Sequence, residues 1–154
     1  MSDEMLTVAA EPTQDERTMA LLAQVLQLVG WWIAPLIIFL IKRESKFVSF
    51  HALQALLLQI TYMIVCGALM VLFFMSAFTS MAHPTNGNNA PPPAFFVFFP
   101  LAWLGFMGMW VAMLVVAIVY GIKAGRGEWA EYPLLGRLAR RFLKIGSGGV
   151  PLQA

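Results

Sequence analysis

Residues 47–78 read FVSFHALQALLLQITYMIVCGALMVLFFMSAF, and from Ala52 onward this stretch holds no ionisable group except Tyr62 and Cys66. As an α-helix, residues 52–78 reach ~40 Å, more than the ~30 Å hydrocarbon core of a bilayer. The stretch therefore predicts a tilted membrane-spanning helix.

Composition agrees with that reading. Of 154 residues, 60% are hydrophobic and only 12% charged, and the mean hydropathy is +0.75, outside the range of soluble domains. The formal charge of +2 is small, but five of the eight acids precede Arg17 and nine of the ten lysines and arginines follow Ile41. That asymmetry concerns orientation in a membrane and argues against a nucleic-acid partner. The single cysteine, Cys66, excludes an intrachain disulfide and a cysteine-held metal, and reads as a small apolar filler.

Upstream, residues 18–41 form another apolar run, ~36 Å long as helix and closed by Lys42, Arg43 and Glu44. It is long enough to span. Gly30, the Trp31-Trp32 pair and Pro35 keep a kinked or re-entrant helix open as the alternative, because tryptophan prefers the interface and proline removes a helical hydrogen bond. Gln24, Gln27 and Trp31 recur at spacings of three and four, which puts them on one face towards protein. The acidic residues 1–17 lack the basic start of a cleavable signal and predict a flexible tail, with Asp15 or Thr18 capping the helix that follows.

Downstream, residues 79–94, TSMAHPTNGNNAPPPA, carry no Lys, Arg, Asp or Glu and contain turn and polyproline signals. They predict an uncharged flexible loop in which His83 is solvated. Residues 95–122 give a third span of ~42 Å, opened by Phe95, Phe96, Phe98, Phe99 and Pro100 as an aromatic collar before the helix start. Ala117, Gly121 and Gly125 fall four apart, as do Gly108 and Ala112, so two small-residue rows allow close helix approach. In residues 134–145, Leu134, Leu135, Leu138, Phe142 and Ile145 share one helical face, while Arg137, Arg140, Arg141 and Lys144 share the other. This pattern predicts a basic amphipathic helix lying on anionic lipid, followed by a flexible tail at 146–154.

The predicted fold class is all-α: a polytopic membrane protein with three transmembrane helices and a C-terminal basic amphipathic helix, in one membrane domain over 18–145. Positive charge at the Lys42 loop and the C-terminus places both in the cytoplasm and the 79–94 loop outside; the N-terminus is outside if the first run crosses fully and inside if that run is re-entrant.

Motifs for catalysis are missing. There is no metal-ligand spacing and no phosphate-binding glycine loop, and the three runs hold no Asp or Glu. The sequence thus predicts no enzyme, no cofactor and no metal site. Its remaining polar feature is a stripe in which His51, Gln54 and Tyr62 keep helical spacing, with Gln59 on the flank. Together with Gln24 and Gln27 these form a candidate polar intramembrane face, read first as a packing device and second as the lining of a small-solute channel or transporter.

Four pieces carry a family resemblance: Glu16-Arg17-Thr18; Pro35-Leu36-Ile37-Ile38 to Lys42; FVSFHALQALLLQI at 47–60; and GIKAGRGEWAEYPL at 121–134. Their most specific parts are Phe50, His51, Gln54 and Ala55, and Gly127, Glu128, Tyr132, Pro133 and Leu134. The chain resembles, over about residues 16–142, a bacterial membrane-protein family of undefined function related to the twenty-kilodalton component of the chloroplast import translocon. The resemblance implies an all-helical, multi-pass protein of the bacterial plasma membrane. It further implies a non-enzymatic subunit or assembly element of a membrane complex, with no assigned catalytic residues. The expected partners are the bilayer, anionic lipid at the cytoplasmic face, and further copies of the chain or other membrane proteins.

Overall fold

The structure, a computed structural model, describes residues 11–82 and 93–145, the side chains of Ser80, Pro93 and Ala94 excepted. The first ten residues of the acidic tail, the loop segment containing His83 and the glycine-rich end at 146–154 lie outside the described residues. Those described form five helices: α1 (Gln14–Gly30), α2 (Ile33–Ile41), α3 (Lys46–Ala82), α4 (Pro93–Gly125) and α5 (Leu135–Leu143).

Thr13, and not Asp15 or Thr18, caps α1. Its hydroxyl accepts the Glu16 N–H at 3.3 Å, and the Glu16 carboxylate accepts the Thr13 N–H at 2.8 Å, which closes a capping box. The Thr-x-x-Glu spacing is the sequence signal for it.

The run at 18–41 is not one helix, so the expectation of a single first span is not met. It breaks at Trp31, whose φ of 50° and ψ of −140° leave the helical region, and resumes as α2. Gly30 permits the tight reversal: a Cβ there would stand 2.6 Å from the Cβ of Ala34. α1 and α2 pack on each other, and the two ends of the run meet. The Lys42 ammonium lies 2.7 Å from the Asp15 carboxylate, and the Ser45 hydroxyl donates to Glu16 at 2.6 Å. What length alone favoured as a span is a helical hairpin. Of the residues in α2 only Pro35 is buried, and Ile33, Ile37, Leu40 and Ile41 are bare.

The Glu16 contact yields a pH prediction. The Ser45 hydroxyl and the Thr13 N–H hold its carboxyl below the usual value of 4.5. A depressed carboxyl pKa contributes stability that is present above the unfolded value and is lost as pH falls through the folded one. Lowering the pH from neutrality to about 3 is therefore expected to loosen the start of α1, seen as lower amide-exchange protection over residues 14–17 once the intrinsic pH dependence of exchange is divided out, and Glu16→Gln removes that effect.

Helices α3 and α4 each contribute to two compact units, one made of Met1–Ile60 with Val115–Ala154 and the other of Thr61–Leu114. In the second unit none of residues 61–79 is buried, and on 95–114 only Met113 is. These stretches measure ~30 Å each as helix, the thickness of the hydrocarbon core. Lys, Arg, Asp and Glu are absent from the sequence of Thr61–Leu114. Phe73 meets Phe95 and Phe99 at 5.7 and 5.9 Å between ring centres. Among the described residues two helices, Lys46–Thr79 and Phe95–Gly125, are long and apolar enough to cross a membrane. Pro100 sits inside α4 and not at its start, a position that membrane helices tolerate.

In the other unit α4 ends in a Schellman motif. The Gly127 N–H bonds the Ala124 carbonyl at 2.9 Å and the Glu128 N–H bonds that of Lys123 at 3.0 Å, with Gly127 at φ 84°. A Cβ on Gly127 would also meet the Arg17 Nε at 2.9 Å. Gly127→Ala is therefore expected to cost ~1–2 kcal/mol, read as a lower thermal midpoint in detergent.

Candidate functional site: a buried amide and imidazole latch

The first turns of α3 are buried although they carry polar residues. Phe47, Val48, Ser49, Phe50, His51, Ala52, Gln54 and Ala55 are all enclosed, as are Ala20, Ala23, Gln24 and Gln27 on α1. The 3.6-residue period puts the two glutamines of α1 on one face, opposite α3. The covering layer is residues 126–134, the strap between α4 and α5. Trp129 fastens it by packing on Phe47 at 5.1 Å and Phe50 at 5.5 Å, and Tyr132 stands edge-on to Tyr120 at 4.4 Å.

Buried polar groups need partners, and here the strap backbone supplies three of them. Gln54 donates from Nε2 to the Ala130 carbonyl at 3.2 Å and accepts the Tyr132 N–H on Oε1 at 2.7 Å. The His51 Nε2 lies 3.1 Å from the Glu128 carbonyl; a carbonyl only accepts, so the proton sits on Nε2 and Nδ1 is bare. Gln24 donates to the His51 carbonyl at 3.1 Å and accepts the Tyr132 hydroxyl, while Gln27 donates back to the Gln24 carbonyl at 2.8 Å. Burial pushes the Tyr132 hydroxyl well above the usual phenol range, so it stays a donor at every physiological pH.

The structure thus brings together four of the six residues expected on the polar face. Gln59 is buried further along α3, with an Oε1 that has no hydrogen-bond partner among the described residues, and Tyr62, half-buried, belongs to the other unit. Gln24 and Gln54 spend within the chain hydrogen bonds that a solute path would need, whereas the buried His51 Nδ1 has no hydrogen-bond partner among the described residues. The strap residues Trp129, Glu131 and Tyr132 are the part that sequence reasoning missed as partners of this face. Much of what they offer is backbone, which no side-chain pattern reveals.

The two small-residue rows part company. Ala117 and Gly121 are buried, and Gly121 and Gly125 receive α1: a Cβ on Gly125 would stand 2.8 Å from Leu21 Cδ1, and one on Gly121 3.3 Å from Val25 Cγ2. Gly108 and Ala112 are exposed, and a Cβ on Gly108 would meet nothing within 4 Å. On α5, Arg140 departs from the expected basic face. It pairs with Glu131 and lies 5.3 Å over the Phe50 ring, leaving Arg137, Arg141 and Lys144 outside.

No group of three or more His, Cys, Asp or Glu side chains converges as a metal site among the described residues. Two long bare apolar helices, with a buried amide latch in the unit that also holds α1, α2 and α5, define a helical membrane protein. The chain belongs to the MamF/MmsF family, the magnetosome magnetite crystal formation protein family, whose profile matches residues 15–139, about four fifths of its length. No curated protein and no solved structure matches the chain. The comparisons give no support to a relation with the chloroplast import component, and that resemblance rests on the quoted residues alone.

Proposed function

We propose that the chain is a non-enzymatic membrane subunit that takes part in magnetite crystal formation by organising copies of itself or other proteins in the bilayer. The observation that carries this reading is the bare pair of ~30 Å helical stretches, free of charge, in Thr61–Leu114. Family membership supplies the process. All ten cations lie outside that unit, so the cytoplasmic side is the side of the Lys42 loop, of α5 and, because α1 and α2 double back, of the N-terminus as well. The membrane is the bacterial plasma membrane or one derived from it.

Self-association has a candidate surface in Gly105, Gly108 and Ala112, one face of α4 that is exposed and open. Wild-type chain in nanodiscs large enough for several copies should associate, and Gly108→Leu with Ala112→Leu should leave it monomeric. A magnetite-forming bacterium lacking its own family member should recover crystal number and size with the wild-type chain and not with the double variant. A monomeric wild type that copurifies with no other membrane protein would overturn the proposal. The channel alternative is the weaker reading, because His51 and Gln54, two of its lining residues, already bond to the strap.

A further inference from the structure

The outer arc of α5 is half apolar and half cationic. Leu134, Leu138 and Phe142 follow one another at four-residue steps and are 79%, 40% and 68% exposed. Arg137, Arg141 and Lys144, also exposed, run alongside them. The inner arc is occupied: Gly136 and Ala139 are buried, Leu143 packs with Phe50 and Ile145, and Arg140 is held by Glu131. Removing Arg140 from the outer face leaves the apolar and cationic rows side by side, not on opposite faces. A helix that sinks its apolar row at the boundary of the acyl chains while its cations meet headgroups needs that arrangement.

The position of α5 within its unit fits. Gln24 marks one level, because it reaches the His51 carbonyl on α3 while its Cβ is 3.5 Å from where a Gly121 Cβ would stand on α4. Around that level α4 exposes Ile118 and Ile122, and the exposed cations Lys123 and Arg126 follow directly. α5 packs beside α3 through Phe50, Leu53 and Leu57, so its outer arc lies where apolar surface gives way to positive charge.

Resting on the membrane reading above, we infer that this arc is a seat for anionic lipid headgroups, with Arg137, Arg141 and Lys144 as the headgroup contacts and Leu134, Leu138 and Phe142 as the immersed row. A second copy of the chain is the poorer occupant. Its acids are few, and Asp15, Glu16 and Glu131 are already engaged with Lys42, Ser45 and Arg140.

The test uses the full chain with Cys66→Ser and Phe142→Cys, held in nanodiscs of phosphatidylcholine alone or mixed with phosphatidylglycerol. The readout is the rate of modification by an uncharged water-borne thiol reagent. Modification should be roughly tenfold slower in the mixed discs, and high salt should restore the rate. Adding Arg137→Gln, Arg141→Gln and Lys144→Gln should make the two lipids equivalent, and Leu138→Cys should report the same pattern. Equal rates in both lipids, or protection that follows the number of copies per disc and not lipid charge, overturn the inference while leaving the membrane reading standing. A chain that stays in neither disc takes down both.

Discussion

A cysteine placed at Gln14 is labelled from the same side of the membrane as one at Arg43, and not from the side that reaches a cysteine at Met81. The expected contrast is all-or-none with an impermeant reagent in a Cys66→Ser background. Its physical basis is the closed hairpin. Asp15 and Lys42 are 2.7 Å apart, which two ends of a helix spanning ~30 Å of hydrocarbon cannot be. The ion pair is exposed and screened by solvent, so it reports the geometry more than it enforces it. Enforcement comes from Gly121 and Gly125, which admit α1 against α4, and from the buried Gln24. In this arrangement the bare residues of α2, Ile33, Ile37, Leu40 and Ile41, are expected to meet acyl chains. Labelling of Gln14 together with Met81 would restore a full first crossing and refute the hairpin in the membrane.

Gln54→Ala is expected to be the most damaging single substitution in the latch. It removes at once the two bonds by which Gln54 holds the strap and leaves the Ala130 carbonyl and the Tyr132 N–H without them. Unpaired buried groups cost ~1–3 kcal/mol apiece, so a loss of about 2–4 kcal/mol in thermal stability is expected, with cleavage by added protease appearing within residues 126–134. The comparison is Gln59→Leu, which removes a buried oxygen that has no hydrogen-bond partner among the described residues and should change stability by less than about 1 kcal/mol. Equal losses at the two positions would show that the Gln54 bonds do not hold the strap.

The greasy runs announce the membrane; α4 lies within three residues of its apolar run at each end, whereas α3 begins six residues before the uncharged stretch at 52–78, because its first turns are buried against α1 and the strap. The first run was harder to read because two signals in it conflict. Its length favours a crossing, while Gly30, the tryptophan pair and Pro35 favour a break, and the tie is decided by contacts with residues about a hundred positions away. Thr13 and Glu16 were legible as a capping box, but the acidic composition around them drew attention to Asp15 instead. For the polar stripe, spacing placed His51 and Gln54 on one face, yet the Glu128 and Ala130 carbonyls that satisfy them are atoms every residue carries. A helical wheel assigns Arg140 to the basic, lipid-facing row because it cannot count a carboxylate arriving from Glu131 outside the helix.

Gln24 meets Tyr132 only after more than a hundred further residues have been made. During synthesis the N-terminal hairpin must therefore wait, its amides hydrated or transiently bound elsewhere, until both long helices are inserted and the strap has left the ribosome. A chain terminated just after Gly125 would reach the bilayer with its two crossing helices intact and its hairpin unfastened. Such a product is the kind that membrane quality-control proteases would be expected to remove.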